Sequence, residues 1–157
     1  MVSVEYVDAS GREALRSLLS DYLIEFAAME GVPVAGSADV PPQYRWFDQY
    51  WLDADRLPFA IHASEGETAG FCLIRVMDGG WNIAEFGIRR EWRRRGIGRR
   101  AVTALAAIAS SAGATHLRAD VADWNDGALR FWLACGFRQI AESDGVATTR
   151  RVLDPPG

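Results

Sequence analysis

Arg93-Arg94-Arg95-Gly96-Ile97-Gly98 is the stretch on which the reading of this chain turns. It lies between an apolar run at residues 81–88 and an Ala-rich segment at 96–112. In that segment Val102, Leu105, Ala106 and Ile108 recur at helical spacing. Two glycines one residue apart let the backbone turn tightly with few side chains in the way. The free N–H groups of the turn then point the same way as the first N–H groups of the helix. The result is a concave set of donors at the positive end of a helix dipole, which suits a phosphate or pyrophosphate. Arg93, Arg94, Arg95 and Arg99 add cations that pair with phosphate oxygens. Taken alone, such a pattern equally fits a glycine turn with a solvated basic face.

Working outward, the spacing predicts the remaining elements. Residues 2–7 alternate weakly, as a first strand does. Ser10 with Glu13 three residues on reads as a capping box opening a helix over 12–29. Leu15, Leu18, Leu19, Tyr22, Leu23 and Phe26 give that helix one apolar face. Residues 31–42 read as a loop, and the aromatic run 43–52 as a short helix. Strands are expected at 57–63, 68–77 and 81–88, with turns at Glu65-Gly66 and Asp78-Gly79-Gly80. Gly113 stops the Ala-rich helix. A strand at 116–121, a short helix at 126–134 ended by Gly136, and two strands at 137–141 and 147–153 close the chain. The order predicts an α+β fold, a mixed and mainly antiparallel sheet flanked by helices, in one domain over residues 1–157.

Composition narrows the function classes. The chain has 157 residues, 49% of them hydrophobic, and a net charge of -4, so a broad nucleic-acid or anionic-membrane surface is not expected. Seven arginines nevertheless fall between Arg89 and Arg100. There is no lysine, which excludes lysine nucleophiles and Schiff-base chemistry. Residues 1–20 carry Glu5, Asp8 and Glu13 and no sustained apolar block, so neither a signal peptide nor a membrane span is expected. Cys72 and Cys135 stand apart, without metal-ligand spacing, and read as buried thiols of a reducing, cytoplasmic compartment. With only His62 and His116, no metal site is expected.

A second motif follows downstream: Asn125-Asp-Gly-Ala128-Leu-Arg-Phe131-Trp132-Leu-Ala-Cys135-Gly136-Phe137. Together with Arg-x-x-Gly-x-Gly at 93–98, it resembles the GCN5-related N-acetyltransferase (GNAT) family. The likeness covers residues 81 to about 140 well; the N-terminal third agrees in element order only. The resemblance implies acetyl-CoA as cofactor, held by the amides of Arg94 to Arg99 including Gly96, Ile97 and Gly98. It assigns backbone groups at Phe86, Gly87 and Ile88 to the pantetheine arm and acetyl carbonyl, and Asn125 to the cofactor arm. Asn125 also suits a helix N-cap. The implied reaction is direct attack of a primary amine, small molecule or peptide, on the thioester in a ternary complex, with no acetyl-enzyme.

Glu85 alternates with Phe86 along its strand and is a candidate base. Asp120 stands where some relatives carry a catalytic carboxylate. Many members carry a Tyr where this chain has Trp132; that Tyr is thought to protonate the leaving thiolate. Trp is not a comparable acid, so Trp132 is assigned to packing against the cofactor. Tyr22, Phe26, Trp46, Trp51 and Trp81 are candidates for an acceptor pocket suited to an apolar or cationic amine. A homodimer would suit exposed tryptophans. The competing reading, supported by Trp132, is a non-catalytic acyl-CoA-binding module of the same fold.

Overall fold

A computed structural model describes residues 1–30 and 44–156. Seven strands form one sheet in the order β1-β2-β3-β4-β5-β7-β6. The strands are β1 Ser3–Tyr6, β2 Arg56–His62, β3 Thr68–Met77, β4 Gly80–Ile88, β5 His116–Ala122, β6 Arg138–Ser143 and β7 Val146–Val152. Three helices flank them: α1 Arg12–Glu30, α2 Ile97–Ser111 and α3 Asp126–Ala134. Every neighbouring pair is antiparallel except β4 with β5. This is the mixed, mainly antiparallel α+β sheet that the pattern predicts.

The turn chemistry explains the two tight hairpins. Asp78 and Gly79 have φ of 51° and 77°, and Asp144 and Gly145 have φ of 50° and 76°. Paired positive φ values of this kind match the twist of two-residue hairpins. Two layers then cover the sheet. Val102, Leu105 and Ala109 of α2 and Trp132 of α3 pack with Cys72, Ile74, Ile83 and Leu117. On the other face Leu15 and Leu19 of α1 meet Phe47, Tyr50, Phe71 and Leu73. Trp81 belongs to the first of these cores, stacked on Phe59 at 5.8 Å.

Two local expectations differ from the structure. Asp8, not Ser10, caps the start of the first helical segment: its carboxylate accepts from the Ser10 N–H at 2.9 Å. A 3-10 turn at Ala9–Gly11 precedes α1, so Ser10 lies inside a turn, and Glu13 pairs with Arg16 instead of closing a capping box. The aromatic run forms a 3-10 helix only over Phe47–Trp51. The loop expected at 31–42 lies outside the described residues.

Two irregularities in β4 position the site. The β3–β4 register runs Leu73↔Glu85 and then Ile74↔Ile83, so Ala84 is an extra residue, a β-bulge. The parallel pairing with β5 covers only Trp81–Ile83 against Leu117–Ala119. Beyond it the two strands part, leaving residues 84–88 without a partner on the β5 side.

Candidate active site

The backbone of β4 divides its groups between two neighbours. In an antiparallel ladder, residues that exchange hydrogen bonds alternate with residues that do not. The Arg89 N–H donates to the Ala69 carbonyl at 2.7 Å, which puts Gly87 and Glu85 in the set that bonds to β3. Phe86 and Ile88 therefore turn their amide and carbonyl groups the other way, into the gap beside β5. The Ile88 carbonyl accordingly accepts from Arg93 Nε at 2.8 Å, outside the sheet. Gly87 is placed differently from the sequence expectation, since its backbone is spent on β3. Its lack of a side chain matters more: a Cβ there would lie 2.8 Å from the Phe71 ring and 2.9 Å from the Tyr22 ring.

The cradle forms where α2 begins. Arg94 has φ 62° and Gly96 φ 75°, so two left-handed residues bend the chain into the helix. Gly96 precedes the first helical residue, and no side chain caps α2. Arg100 is the first to donate back to the Gly96 carbonyl, so the N–H groups of Ile97, Gly98 and Arg99 stay available. A Cβ on Gly98 would meet the Phe131 ring at 2.9 Å, so this glycine lets α3 close against α2. The cradle opens into a cleft of ≈ 790 Å³. Phe86, Ile88, Gly96, Gly98, Arg94, Arg99 and Asn125 all line it. The Asn125 Oδ1 caps α3 by accepting from the Ala128 N–H at 3.1 Å, which leaves Nδ2 as a donor.

Not every expected cation reaches the cleft. Arg93 lines it, but its guanidinium is bound by Glu25 of α1 at 2.5 and 2.7 Å. Arg95 lies over the Trp92 ring, 5.0 Å from its centroid, outside the lining. Trp132 is not in the cleft either: it is 6% exposed, and packs edge-on against Phe86, Phe131 and Phe137. It backs the cleft wall.

Glu85 occupies the opposite face of β4 from Phe86. It pairs with Leu73, whose side chain joins the core beneath α1. Burial pushes its carboxyl up to about 7, and a hydrogen bond from the Tyr22 hydroxyl pulls it partly back. Tyr44 and Tyr50 stand in the same neighbourhood; burial, then the Glu85 charge, raises the Tyr44 phenol. The Tyr50 hydroxyl is buried and has no hydrogen-bond partner among the described residues. Arg56, 9% exposed, stacks on Trp46 and Tyr50 at 5.0 and 5.6 Å.

Of the predicted acceptor residues, Tyr22 and Phe26 line the cleft and the tryptophans do not. Trp81 is a core residue, 4% exposed. Trp46 is spent on Arg45 and Arg56, and Trp51 donates its Nε1–H to the Val7 carbonyl at 3.0 Å. Asp120 is an exposed residue of the interior strand β5, accepting from Thr148 Oγ1 at 2.8 Å, away from the cleft. Sequence reading missed Glu25, Met29 and Trp92 in the lining, and the Phe26–Trp124 contact at 5.4 Å. No local signal marks them, because each meets its partners only across the fold.

No sequence match was found among curated proteins. Solved structures share the fold along nearly the whole chain. An acetyltransferase from Thermus thermophilus is 22% identical, covering 98% of this chain and 97% of its own, with a TM-score of 0.76. The PaiA N-acetyltransferase from Thermoplasma acidophilum, solved in complex with coenzyme A, is 14% identical, with coverage of 97% and 99% and a TM-score of 0.73. An acetyltransferase of the GNAT family from Staphylococcus aureus is 13% identical, with coverage of 98% and 100% and a TM-score of 0.70. The family model for the acetyltransferase (GNAT) family matches residues 13–137, a span that includes all of α1 but its first residue, both motifs and the split between β4 and β5. The chain belongs to the acetyltransferase (GNAT) family.

Proposed function

We propose that this acetyl-CoA-dependent N-acetyltransferase transfers its acetyl group by direct attack of a primary amine within a ternary complex. One observation carries the reading. A donor cradle and an open strand edge lie on one side of β4, and a half-buried carboxylate lies on the other, at the bulge. The amides of residues 97–99 suit the pyrophosphate, with Arg94 and Arg99 beside them. The outward groups of Phe86 and Ile88 suit the amides of the pantetheine arm, and Asn125 Nδ2 adds a donor. An N–H of β4 near the thioester oxygen stabilises the tetrahedral intermediate.

Glu85 takes the proton of the incoming ammonium, directly or through one water. Its pKa of about 7 leaves it largely ionised just above neutrality, yet basic enough to accept a proton. The N–C bond then forms, the nitrogen releases its second proton to solvent as the C–S bond breaks, and CoA leaves as a thiolate protonated by solvent. A thioester is already activated, so positioning accounts for most of the work. Tyr22 and Phe26, with the Glu85 charge, favour a cationic amine with an apolar body, small molecule or peptide. The same reading takes residues 1–157 as one domain, acting in the cytoplasm, with a homodimer compatible. Among the described residues no helix is long and apolar enough to cross a membrane.

The test begins with thermal shifts in acetyl-CoA, CoA and ATP. Ligand at about 100 times Kd adds about 2.7 kcal/mol, a rise of about 5–10 °C for a domain of this size. Stabilisation by both CoA species but not ATP is expected. Release of free CoA that depends on an added amine then separates an enzyme from a binding module. Binding without amine-dependent release under a broad amine screen overturns the catalytic reading.

A further inference from the structure

Arg93 heads the glycine turn, and its charge invites assignment to a phosphate. Its contacts argue otherwise. Nη1 and Nη2 donate to the two carboxylate oxygens of Glu25 at 2.5 and 2.7 Å, and Nε donates to the Ile88 carbonyl at 2.8 Å. The fork geometry of a guanidinium is thereby used along both donating edges. Three separate elements meet at this one side chain: α1, the end of β4 and the turn before α2.

Glu25 is the more telling partner. It lines the same cleft as Gly96, Gly98, Arg94 and Arg99, the groups suited to an anion. A bare carboxylate there would repel a pyrophosphate. Arg90 lies 3.8 Å from Glu25 as well, but its side chain is 82% exposed and contributes little. Arg93 also lowers the Glu25 carboxyl pKa, chiefly through its hydrogen bonds. Arg94 and Arg99, by contrast, have no ion pair to a described residue and remain available in the cleft.

We propose that Arg93 is a positioning residue, not a phosphate ligand: it neutralises Glu25 and clamps α1 against the cofactor cradle. This rests on the acetyl-CoA reading of the cleft given above. The clamp does two things. It cancels a negative charge that the cleft would otherwise present to the cofactor. It also fixes the wall of α1 that carries Tyr22 and Phe26, which joins the acceptor side to the cofactor side.

The experiment compares CoA affinity by calorimetry for the wild type, R93Q, R93K, E25Q and E25Q/R93Q, with a melting curve for each. R93Q exposes an unpaired Glu25 and is expected to bind CoA about tenfold more weakly. E25Q/R93Q removes both charges and is expected to return to within about threefold of the wild type. R93K keeps the charge but not the fork to Glu25 and the Ile88 carbonyl, and is expected to fall between R93Q and the wild type. The R93Q deficit relative to E25Q/R93Q is expected to shrink at about 1 M salt, where the screening length is about 3 Å. A loss of packing alone would not respond to salt in this way. A double variant as weak as R93Q, with normal melting, makes Arg93 a phosphate ligand and overturns the clamp alone. Should R93Q not fold, R93K and E25Q still decide: binding by R93K more than about tenfold weaker, with unaltered E25Q, overturns the proposal. A wild type that binds no CoA overturns the cofactor reading and the clamp with it.

Discussion

The two sides of β4 are built in different ways. On the α2 and α3 side, the donor cradle comes from backbone N–H groups, the left-handed Arg94 and Gly96, and Gly98, which leaves room for the Phe131 ring. All of its donors lie within one turn of chain. On the α1 side, Tyr22 of α1, Tyr50 of the 3-10 helix and Leu73 of β3 surround Glu85 of β4. They lie as far apart in sequence as Tyr22 and Glu85. The first kind of site tolerates change in side chains but not in backbone space; the second is the reverse. Cofactor binding and acceptor chemistry should therefore respond separately to mutation.

The largest separation is expected from Glu85→Gln. In the proposed role of general base, Glu85 is expected to be worth on the order of a hundredfold to ten-thousandfold in rate. Turnover should fall accordingly while acetyl-CoA affinity holds, because Glu85 faces away from the cradle. The wild-type rate should rise with pH through about 7 as the carboxyl ionises, and the variant should lose that limb. Stability carries the opposite sign. The folded-state pKa is raised, so the unfolded chain releases this proton first. The wild-type melting temperature should fall as pH climbs from the ordinary carboxylate range to about 7, and Glu85→Gln should remove that component. An acetyl-CoA Kd that changes with Glu85→Gln would break the division between the two sides.

Gly98→Val tests the other side. The new side chain must push into the Phe131 ring, which even a Cβ would approach to 2.9 Å. Overpacking of this kind costs about 1–3 kcal/mol, so acetyl-CoA affinity should drop by about tenfold to a hundredfold. The Kd for acetyl-CoA checks it, and the pH limb of the residual activity should stay near 7.

Tyr22→Phe sharpens the comparison from the acceptor side. Its hydroxyl stabilises the ionised form of Glu85, so the activity limb should move to higher pH. The rate at neutral pH should drop by less than about tenfold. A limb that stays in place would remove Tyr22 from the neighbourhood of the base.

Asn125 gives the smallest and cleanest effect. Asn125→Ala loses the α3 cap and should cost about 1 kcal/mol of stability. Asn125→Asp keeps the capping oxygen but lacks the amide donor. Its melting temperature should stay near that of the wild type while acetyl-CoA binding weakens. Equal stability and equal affinity for Asn125→Asp would reduce Asn125 to a cap.

The cradle was legible because its physics is local. A strand, Gly96 and Gly98 at fixed spacing and an apolar helical stripe suffice to define where donors converge. Strand and helix boundaries were legible for the same reason, since hairpin turns at Asp78-Gly79 and Asp144-Gly145 and the helix stop at Gly113 act over a few residues. On the proposed acceptor side, only Tyr22, Phe26 and Glu85 of the residues singled out from sequence lie at the α1 wall or on its face of β4. An aromatic run looks the same whether its rings line a pocket, stack on Arg56 or fill the core, and Trp46, Trp51 and Trp81 took the other roles.

The sequence by itself determined the order of elements, the α+β class, the position of the cradle and the absence of lysine chemistry. Each follows from periodicity, turn residues or composition, which need no knowledge of distant neighbours. Only the tertiary structure decided that the bulge at Ala84 sets Glu85 beneath α1, that β4 and β5 part beyond Ile83, and that Arg93 spends its charge on Glu25. Those outcomes depend on register and on a pairing across 68 residues of sequence. A side chain's chemistry is written in the chain, but the partner that tunes it is chosen by the fold.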